Sequence, residues 1–271
     1  MKVAALQYTA RDSRTETRAI AQALIEKAAR GGAELICLPE CANFLAKDKD
    51  SLFAKAEDEA HSPFLAMAHH YAQKHEVTLS LGSLMMRHNE TDNRLANRHY
   101  IIAPNGTITA RYDKIHMFDA AVNDGQNYQE SQSFRPGTKA VMTDISGFKT
   151  GLSICYDIRF AQLYHHYAKE QASLILTPAA FTATTGAAHW HILQRSRAIE
   201  TGAFIIAAAQ TGTHDDGRKT YGHALIISPW GEVLADAGAD GDMACATLDL
   251  ALVNQARSSL SAWKNQNNHF D

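Results

Sequence analysis

The sequence predicts an α/β fold built on mixed sheets. Short β-rich runs alternate with amphipathic stretches along the chain, the pattern of strands connected through helices. Pro104-Asn105-Gly106 and Pro229-Trp230-Gly231 each read as a tight turn between neighbouring runs, so antiparallel hairpins accompany the helical crossovers. Strands paired both ways imply mixed sheets whose faces are covered by helices.

In chain order, KVAALQY opens as a strand at residue 2, and an amphipathic stretch follows over 15–30. AELICLP is the next strand, rich in apolar residues and stopped by proline; a second amphipathic stretch covers 62–75, and VTLSLGS follows it. HYIIAP and TITARY flank the turn at Pro104 and read as one hairpin. TGLSICY, the helical stretch 160–170, ASLILTP, the helical stretch 187–201 and FIIAAAQ then repeat the strand–helix alternation. HALIIS and ACATLDL close the series, the first running into the turn at Pro229.

With 271 residues, 45% of them hydrophobic, the chain can bury a core for one large α/β domain or two small ones. No Pro-, Ser- or Gly-rich stretch divides it, so a single domain over 1–271 is expected. The net charge of -3, with Lys and Arg dispersed, leaves no basic stripe for nucleic acid. A strand beginning at residue 2 leaves no room for a signal peptide, and no apolar run reaches membrane-spanning length. Cys37, Cys41, Cys155 and Cys245 are too few for a disulfide scaffold. A cytoplasmic protein is expected, in which the sequons at Asn89 and Asn105 stay silent.

Three of these segments close on a reactive residue: ELICLPE on Glu40, TARYDK on Lys114 and TGLSIC on Cys155. Each lies at or just past a strand end, where α/β folds place their sites. A free thiol has a pKa of about 8.5, so an attacking Cys155 needs a base or a cation beside it. Glu40 supplies the base. Lys114 and the backbone N–H of Tyr156, the next residue, supply donors for the oxyanion that forms when a thiolate adds to a carbonyl. The set fits a thiol-dependent amide hydrolase.

At these positions the sequence resembles the nitrilase superfamily of carbon-nitrogen hydrolases, whose members carry a Glu-Lys-Cys triad in this chain order. LPE around Glu40, YDKIHMFD around Lys114 and GLSICYDIRF around Cys155 look like the family's motif blocks. TTGAAHWHILQRSRAIETGAFIIAAAQ and YGHALIISPWGEVLA look like its amidase branch. The resemblance covers nearly the whole chain. It implies a four-layer αββα sandwich with two mixed sheets, a thioester intermediate, and a second glutamate at Glu130 that positions or polarises the site. It implies an amidase of a small carboxylate-bearing substrate, with the KTYGH loop favouring deaminated glutathione amidase over omega-amidase. An N-carbamoyl amino acid hydrolase and a catalytically silent binding member are the alternatives. Family members commonly pair, so a homodimer or higher homo-oligomer is expected through the segment near 160–200 and a C-terminal tail carrying Trp263 and Phe270.

Arg159, four residues past Cys155, and Arg197 are candidates to hold a substrate carboxylate by a bidentate fork. Phe181 and His189, flanking an expected turn at Thr184-Thr185-Gly186, are candidates for the acyl pocket, and the polar loop Thr211–Tyr221 for its rim. No GxGxxG or P-loop pattern occurs, so no cofactor is expected. Fourteen histidines include the pairs His69-His70 and His165-His166 and the run His189-Trp190-His191, but none has a HExxH or CxxC companion, and no metal site is expected. Cys37 and Cys41 read as structural thiols.

Overall fold

The computed structural model describes residues 1–87, 92–122 and 127–264. Its first half runs β1 (Lys2–Tyr8), α1 (Arg14–Arg30), β2 (Leu35–Cys37), α2 (Lys49–Lys55), α3 (Pro63–His75), β3 (Thr78–Ser80), β4 (Leu84–Met86), β5 (Ala96–Ile102), β6 (Ile108–Asp113), β7 (Asp119–Ala121) and β8 (Asn127–Gln129). The second half runs β9 (Met142–Ile145), β10 (Phe148–Leu152), α4 (Ala161–Lys169), β11 (Leu174–Leu176), α5 (Ala183–Thr201), β12 (Phe204–Ala207), β13 (Ala209–Thr213), β14 (Lys219–Tyr221), β15 (Leu225–Ile227), β16 (Val233–Asp236), β17 (Met243–Thr247) and α6 (Ala251–Ser259).

The layers follow from strands that are apolar on both faces. In β1, Val3 and Ala5 join one core cluster while Ala4 and Leu6 join another, and in β2 Leu35 and Cys37 part from Ile36 in the same way. Alternate side chains of a strand point to opposite faces, so this sheet is covered on both sides. One side meets α1 through Ala21, Leu24, Ile25 and Ala28, and α3 through Phe64, Leu65 and Ala68. The other meets Leu152, Leu174 and Leu176 of a second sheet, whose far side takes Tyr164 and Tyr167 of α4 and Trp190 and Ala198 of α5. The result is the expected αββα sandwich.

The first sheet runs β14-β13-β1-β2-β3-β5-β4, with β17 also on β1 and β6 also on β5; the second runs β16-β15-β12-β11-β10-β9. β1, β2 and β3 pair in parallel, as do β10, β11 and β12, while the β5–β6 and β15–β16 hairpins are antiparallel. Both proline turns close as anticipated, Gly106 N–H donating to Ala103 O at 2.8 Å and Gly231 N–H to Ser228 O at 2.9 Å.

Elements that the sequence did not announce are short or lack periodicity: α2, α6, β4, β7, β8, β9, β14 and β16; FIIAAAQ, expected as one strand, divides at Ala208 into β12 and the start of β13, which lie in different sheets. β9 and β10 are joined by Ser146-Gly147, both at positive φ (51° and 84°), a hairpin signal available in the sequence. α5 begins at Ala183 rather than 187, because Thr182 Oγ1 accepts the Thr185 N–H and caps it. Thr184-Thr185-Gly186 is therefore helix, not turn. A Cβ on Gly186 would lie 2.3 Å from Tyr221 Cβ, so the missing side chain admits β14 against the helix.

The C-terminal expectation is corrected. Trp263 is buried in its own subunit, with the Arg257 guanidinium 4.8 Å from its ring centroid, because α4, α5 and α6 surround its short turn. Phe270 and the sequon at Asn89 lie outside the described residues.

Gly82 presses on the segment that carries Glu40. Its φ is +62°, and a Cβ there would stand 2.0 Å from Pro39 O and 2.2 Å from Leu38 O. Gly82→Ala should destabilise the fold by about 2–3 kcal/mol, through overpacking and a conformation that L-residues adopt rarely. A urea midpoint within error of the parent, at unchanged slope, would contradict this.

Candidate active site

Three strand ends converge on one buried cluster of charge. Past β2, Leu38 N–H extends the ladder to Ser80 O, and Glu40 follows two residues later. Lys114 directly follows β6, its N–H bonded to Asn97 O at 3.0 Å. Cys155 opens a 3₁₀ turn (Cys155–Arg159) beyond β10, with φ +47°. Asp157 holds that turn. It is fully buried and accepts from Ile154 N–H (2.9 Å), Tyr112 OH (2.7 Å), and His116 N–H (3.0 Å) and Nδ1 (2.7 Å). Cys155 N–H itself donates to Pro178 O at 2.8 Å. A non-glycine residue at positive φ persists only where its surroundings over-determine it.

Lys114 Nζ lies between two carboxylates, 2.9 Å from Glu40 Oε1 and 2.9 and 2.8 Å from the two oxygens of Glu130. Asn97 Nδ2 bridges the same pair, donating to Glu40 Oε1 at 3.0 Å and Glu130 Oε1 at 3.2 Å. Backbone donors complete the set: Ala180 N–H to Glu40 Oε2 at 2.8 Å and Phe118 N–H to Glu130 Oε2 at 2.6 Å.

Burial pushes the Glu40 carboxyl up, but the Lys114 ammonium, the Cys155 thiol and the Ala180 N–H outweigh it and hold it below the usual glutamate value. Burial pulls Lys114 down, yet Glu130 and Glu40 carry it well above an ordinary lysine. For Cys155, burial and then the Glu40 charge raise the thiol, and Lys114 only partly opposes them. The cluster therefore rests as carboxylate, ammonium and thiol.

These groups form the floor of a cavity of about 400 Å³, walled by Phe44, Met85, Phe118, Tyr128 and Phe134. Lys47 and Lys49, both exposed, stand on the same wall. Arg218 lies there too, 5.4 Å from the centroid of the Tyr128 ring and 3.0 Å from Asp216 Oδ2. Its Nε is buried and has no partner among the described residues.

The structure brings together Glu40, Lys114, Cys155 and Glu130, and puts Tyr156 in the turn immediately after the thiol. It does not bring in Arg197. That side chain is buried, donating from Nε to Ile158 O at 2.9 Å and from its terminal nitrogen to Glu200 Oε2 at 2.7 Å. Its ion pair with Glu200 stays within α5, its Nε bond to Ile158 O ties α5 to the Cys155 turn, and the expected carboxylate role is corrected. Arg159, Phe181 and His189 form a neighbouring cluster and do not line the described cavity. The Arg159 guanidinium sits 5.2 Å from the Phe181 ring centroid and 3.4 Å from His189 Nδ1, and Phe181 packs on Trp190 at 5.1 Å. The loop Thr211–Tyr221 does reach the rim, through Asp216 and Arg218. Sequence reasoning missed Asn97, Phe118 and Arg218; the charged GRK within an already suspected loop was the available signal for the last.

A family model described as carbon-nitrogen hydrolase matches residues 2–258. The sequence is 42% identical over 260 residues to a Synechocystis protein named deaminated glutathione amidase, covering 95% of this chain and 94% of that one. It is 33% identical over 248 residues to omega-amidase NIT2 of Danio rerio, covering 92% and 88%. Among solved structures, the Caenorhabditis elegans NitFhit protein superposes with a TM-score of 0.91 at 34% identity, over 98% of this chain and 64% of that one. Saccharomyces cerevisiae Nit3, described as a member of branch 10 of the nitrilase superfamily, gives 0.87 at 26% identity, over 100% and 97%.

The protonation pattern has a measurable consequence. Cys155 titrates above, and Glu40 below, the neutral range. Inactivation by iodoacetamide should therefore show no inflection between about pH 5 and pH 8. A rate that titrates near neutrality would mean a preformed thiolate and overturn the assignment.

Proposed function

The chain belongs to the carbon-nitrogen hydrolase family, and on that basis we propose that it hydrolyses small carboxylate-bearing amides through an acyl thioester on Cys155. The observation that carries this reading is the buried Glu40–Lys114–Glu130 cluster beside a strained cysteine at a cavity floor. A thiol above and a carboxylate below their ordinary pKa values make a free thiolate unfavourable, so sulfur attack and proton transfer to Glu40 occur together. As the S–C bond forms, the carbonyl π electrons move to oxygen, where the Lys114 ammonium and the Tyr156 N–H meet the charge. Collapse breaks the C–N bond, and Glu40 returns its proton to the departing amine. Water then attacks the thioester with Glu40 as base, giving the carboxylic acid and the free thiol. Glu130 keeps Lys114 charged and aimed, and Asn97, donating to both carboxylates, offsets the repulsion between them.

Within the family, deaminated glutathione is the substrate we favour over 2-oxoglutaramate. The relative named for it aligns end to end at 42% identity. The first substrate carries carboxylates at two ends and the second at one, and the cavity has separate cations in Arg218 and the Lys47–Lys49 segment. A volume of about 400 Å³ lies in the usual range for drug-sized ligands. Omega-amidase activity is the second reading, favoured by the relative NIT2.

We further propose one cytoplasmic domain assembled as a two-fold dimer. Its four unpaired cysteines suit a reducing compartment, and no helix among the described residues is long and apolar enough to cross a membrane. Ile192 and Ile199 of α5, Trp230 and Leu260 are exposed apolar side chains. Arg195 Nε donates to Gly231 O at 2.7 Å, which joins the α5 face to the Trp230 turn. Such faces mark association surfaces.

Cys155→Ala should abolish turnover with the fold intact, and a slow substrate should leave an acyl adduct on Cys155 by intact-mass spectrometry. Glu40→Gln and Lys114→Met should each lower kcat by at least about 100-fold. An adduct on Cys37, Cys41 or Cys245, or near-parental kcat in either variant, removes the corresponding role. Arg218→Met should raise KM for deaminated glutathione about 10- to 100-fold, as expected for a lost charged hydrogen bond. An unchanged KM would exclude Arg218 from recognition. Light scattering should give twice the chain mass of 29.7 kDa, and a monomeric mass would refute the dimer.

A further inference from the structure

His191, on α5, meets two residues distant in sequence: His223, between β14 and β15, and Asp236, the last residue of β16. His191 Nε2 is 3.1 Å from Asp236 Oδ2, and His223 Nδ1 is 3.0 and 3.1 Å from Asp236 Oδ1 and Oδ2. One donor atom from each of the three lies within 4.8 Å of the others. Two imidazole nitrogens thus converge on one carboxylate oxygen, and nothing in the hydrolytic site uses them.

Each side chain is held. Asp236 Oδ1 accepts the Gly238 N–H at 2.7 Å, which leaves Oδ2 as the oxygen common to both imidazoles. The His223 backbone is fixed at both ends, its N–H on Gly238 O at 2.9 Å and its carbonyl accepting Trp190 Nε1 at 2.8 Å. Tyr221 stacks on its ring at 4.5 Å and 22°. Ligands pre-positioned by such outer contacts are a feature of metal sites. The side chains are 34%, 24% and 31% exposed for His191, His223 and Asp236, so solvent reaches the point where they meet.

We propose that His191, His223 and Asp236 bind a zinc-like transition-metal ion, with water in the fourth position. A tetrahedral zinc with bonds of about 2.0–2.1 Å separates its ligand atoms by about 3.3 Å, close to the 3.0–3.1 Å between each nitrogen and the carboxylate here, while the two nitrogens lie within 4.8 Å of each other and must draw together where that distance exceeds the tetrahedral edge. Two imidazoles and a carboxylate are a donor set that zinc accepts, whereas magnesium and calcium prefer oxygen. In the metal-free protein the nitrogens facing Asp236, Nε2 of His191 and Nδ1 of His223, donate to its carboxylate; on binding the ion displaces those protons, and each neutral imidazole then carries its single proton on the opposite nitrogen, Nδ1 of His191 and Nε2 of His223. The ion ties α5 to the β15–β16 hairpin. It takes no part in hydrolysis, whose groups lie elsewhere.

The test uses tag-free Cys155→Ala protein, so that the cavity thiol cannot capture the metal, titrated with zinc chloride by calorimetry. One equivalent should bind, and melting should shift upward by roughly 3–5 °C near saturation. Cobalt in place of zinc should give the intense visible bands of a tetrahedral site. His191→Ala and His223→Ala should each weaken zinc at least about 100-fold. Asp236→Asn, which keeps the side chain's shape and acceptor oxygen, should weaken it as well if either histidine variant fails to fold. Wild-type turnover should survive EDTA within twofold. Absence of saturable zinc binding, or binding unchanged in His191→Ala and Asp236→Asn, overturns the site. Turnover lost to EDTA and restored by zinc overturns its separation from catalysis.

Discussion

The Lys114 ammonium, buried between Glu40 and Glu130, is the interaction on which the rest of the structure depends. A charge taken out of water must be met by partners with good geometry, and here it meets three carboxylate oxygens within 2.9 Å. Remove the lysine and two carboxylates face each other with no cation between them; deleting one partner of a buried ion pair commonly costs roughly 3–5 kcal/mol. The three groups come from the end of β2, the end of β6 and the turn after β8. No single element could supply them, so the sheet order that brings β2, β3, β5 and β6 side by side is itself a requirement of the cluster.

The same cluster sets the chemistry of the thiol. Glu40 faces both Lys114 and Cys155, and its charge raises the thiol while the lysine keeps the carboxylate ionised. In the mechanism proposed above the proton stays on sulfur until a carbonyl arrives, which would protect the cysteine from side reactions of a standing thiolate. Asp157 contributes from beneath. By accepting from Ile154, Tyr112 and His116 it locks the turn that presents sulfur at positive φ, and Arg197 braces that turn from α5 through Ile158 O. What looked in sequence like a substrate arginine belongs to this support.

Burial decided the readings that failed. Trp263 in a polar tail suggests a partner surface, but the ends of α4, α5 and α6 leave a socket that the chain itself fills. Thr184-Thr185-Gly186 suggests a turn because glycine follows two β-branched residues; Thr182 as a cap and the close approach of Tyr221 to Gly186 make it the first turn of a helix. The three-residue strands β4, β7, β8 and β14 have no period long enough to read; β4 and β14 form on the edges of β5 and β13, and β7 and β8 pair with each other.

The sequence by itself determined the long elements, the mixed pairing of the sheets and both proline hairpins, and it singled out Glu40, Lys114, Glu130 and Cys155, which the fold gathers around one cavity. Periodicity, turn chemistry and motif blocks are local properties, and they are written along the chain. Only the tertiary structure decided which polar groups share a space. Asn97 and Arg218 enter the site from the β5 strand and the β13–β14 hairpin, and Arg197, Arg159 and His189 stay out of the described cavity. His191 acquires His223 and Asp236 as neighbours across 32 and 45 residues. Those assignments rest on distances of about 3 Å between side chains remote in sequence, fixed by the packing of two sheets and invisible to any local pattern.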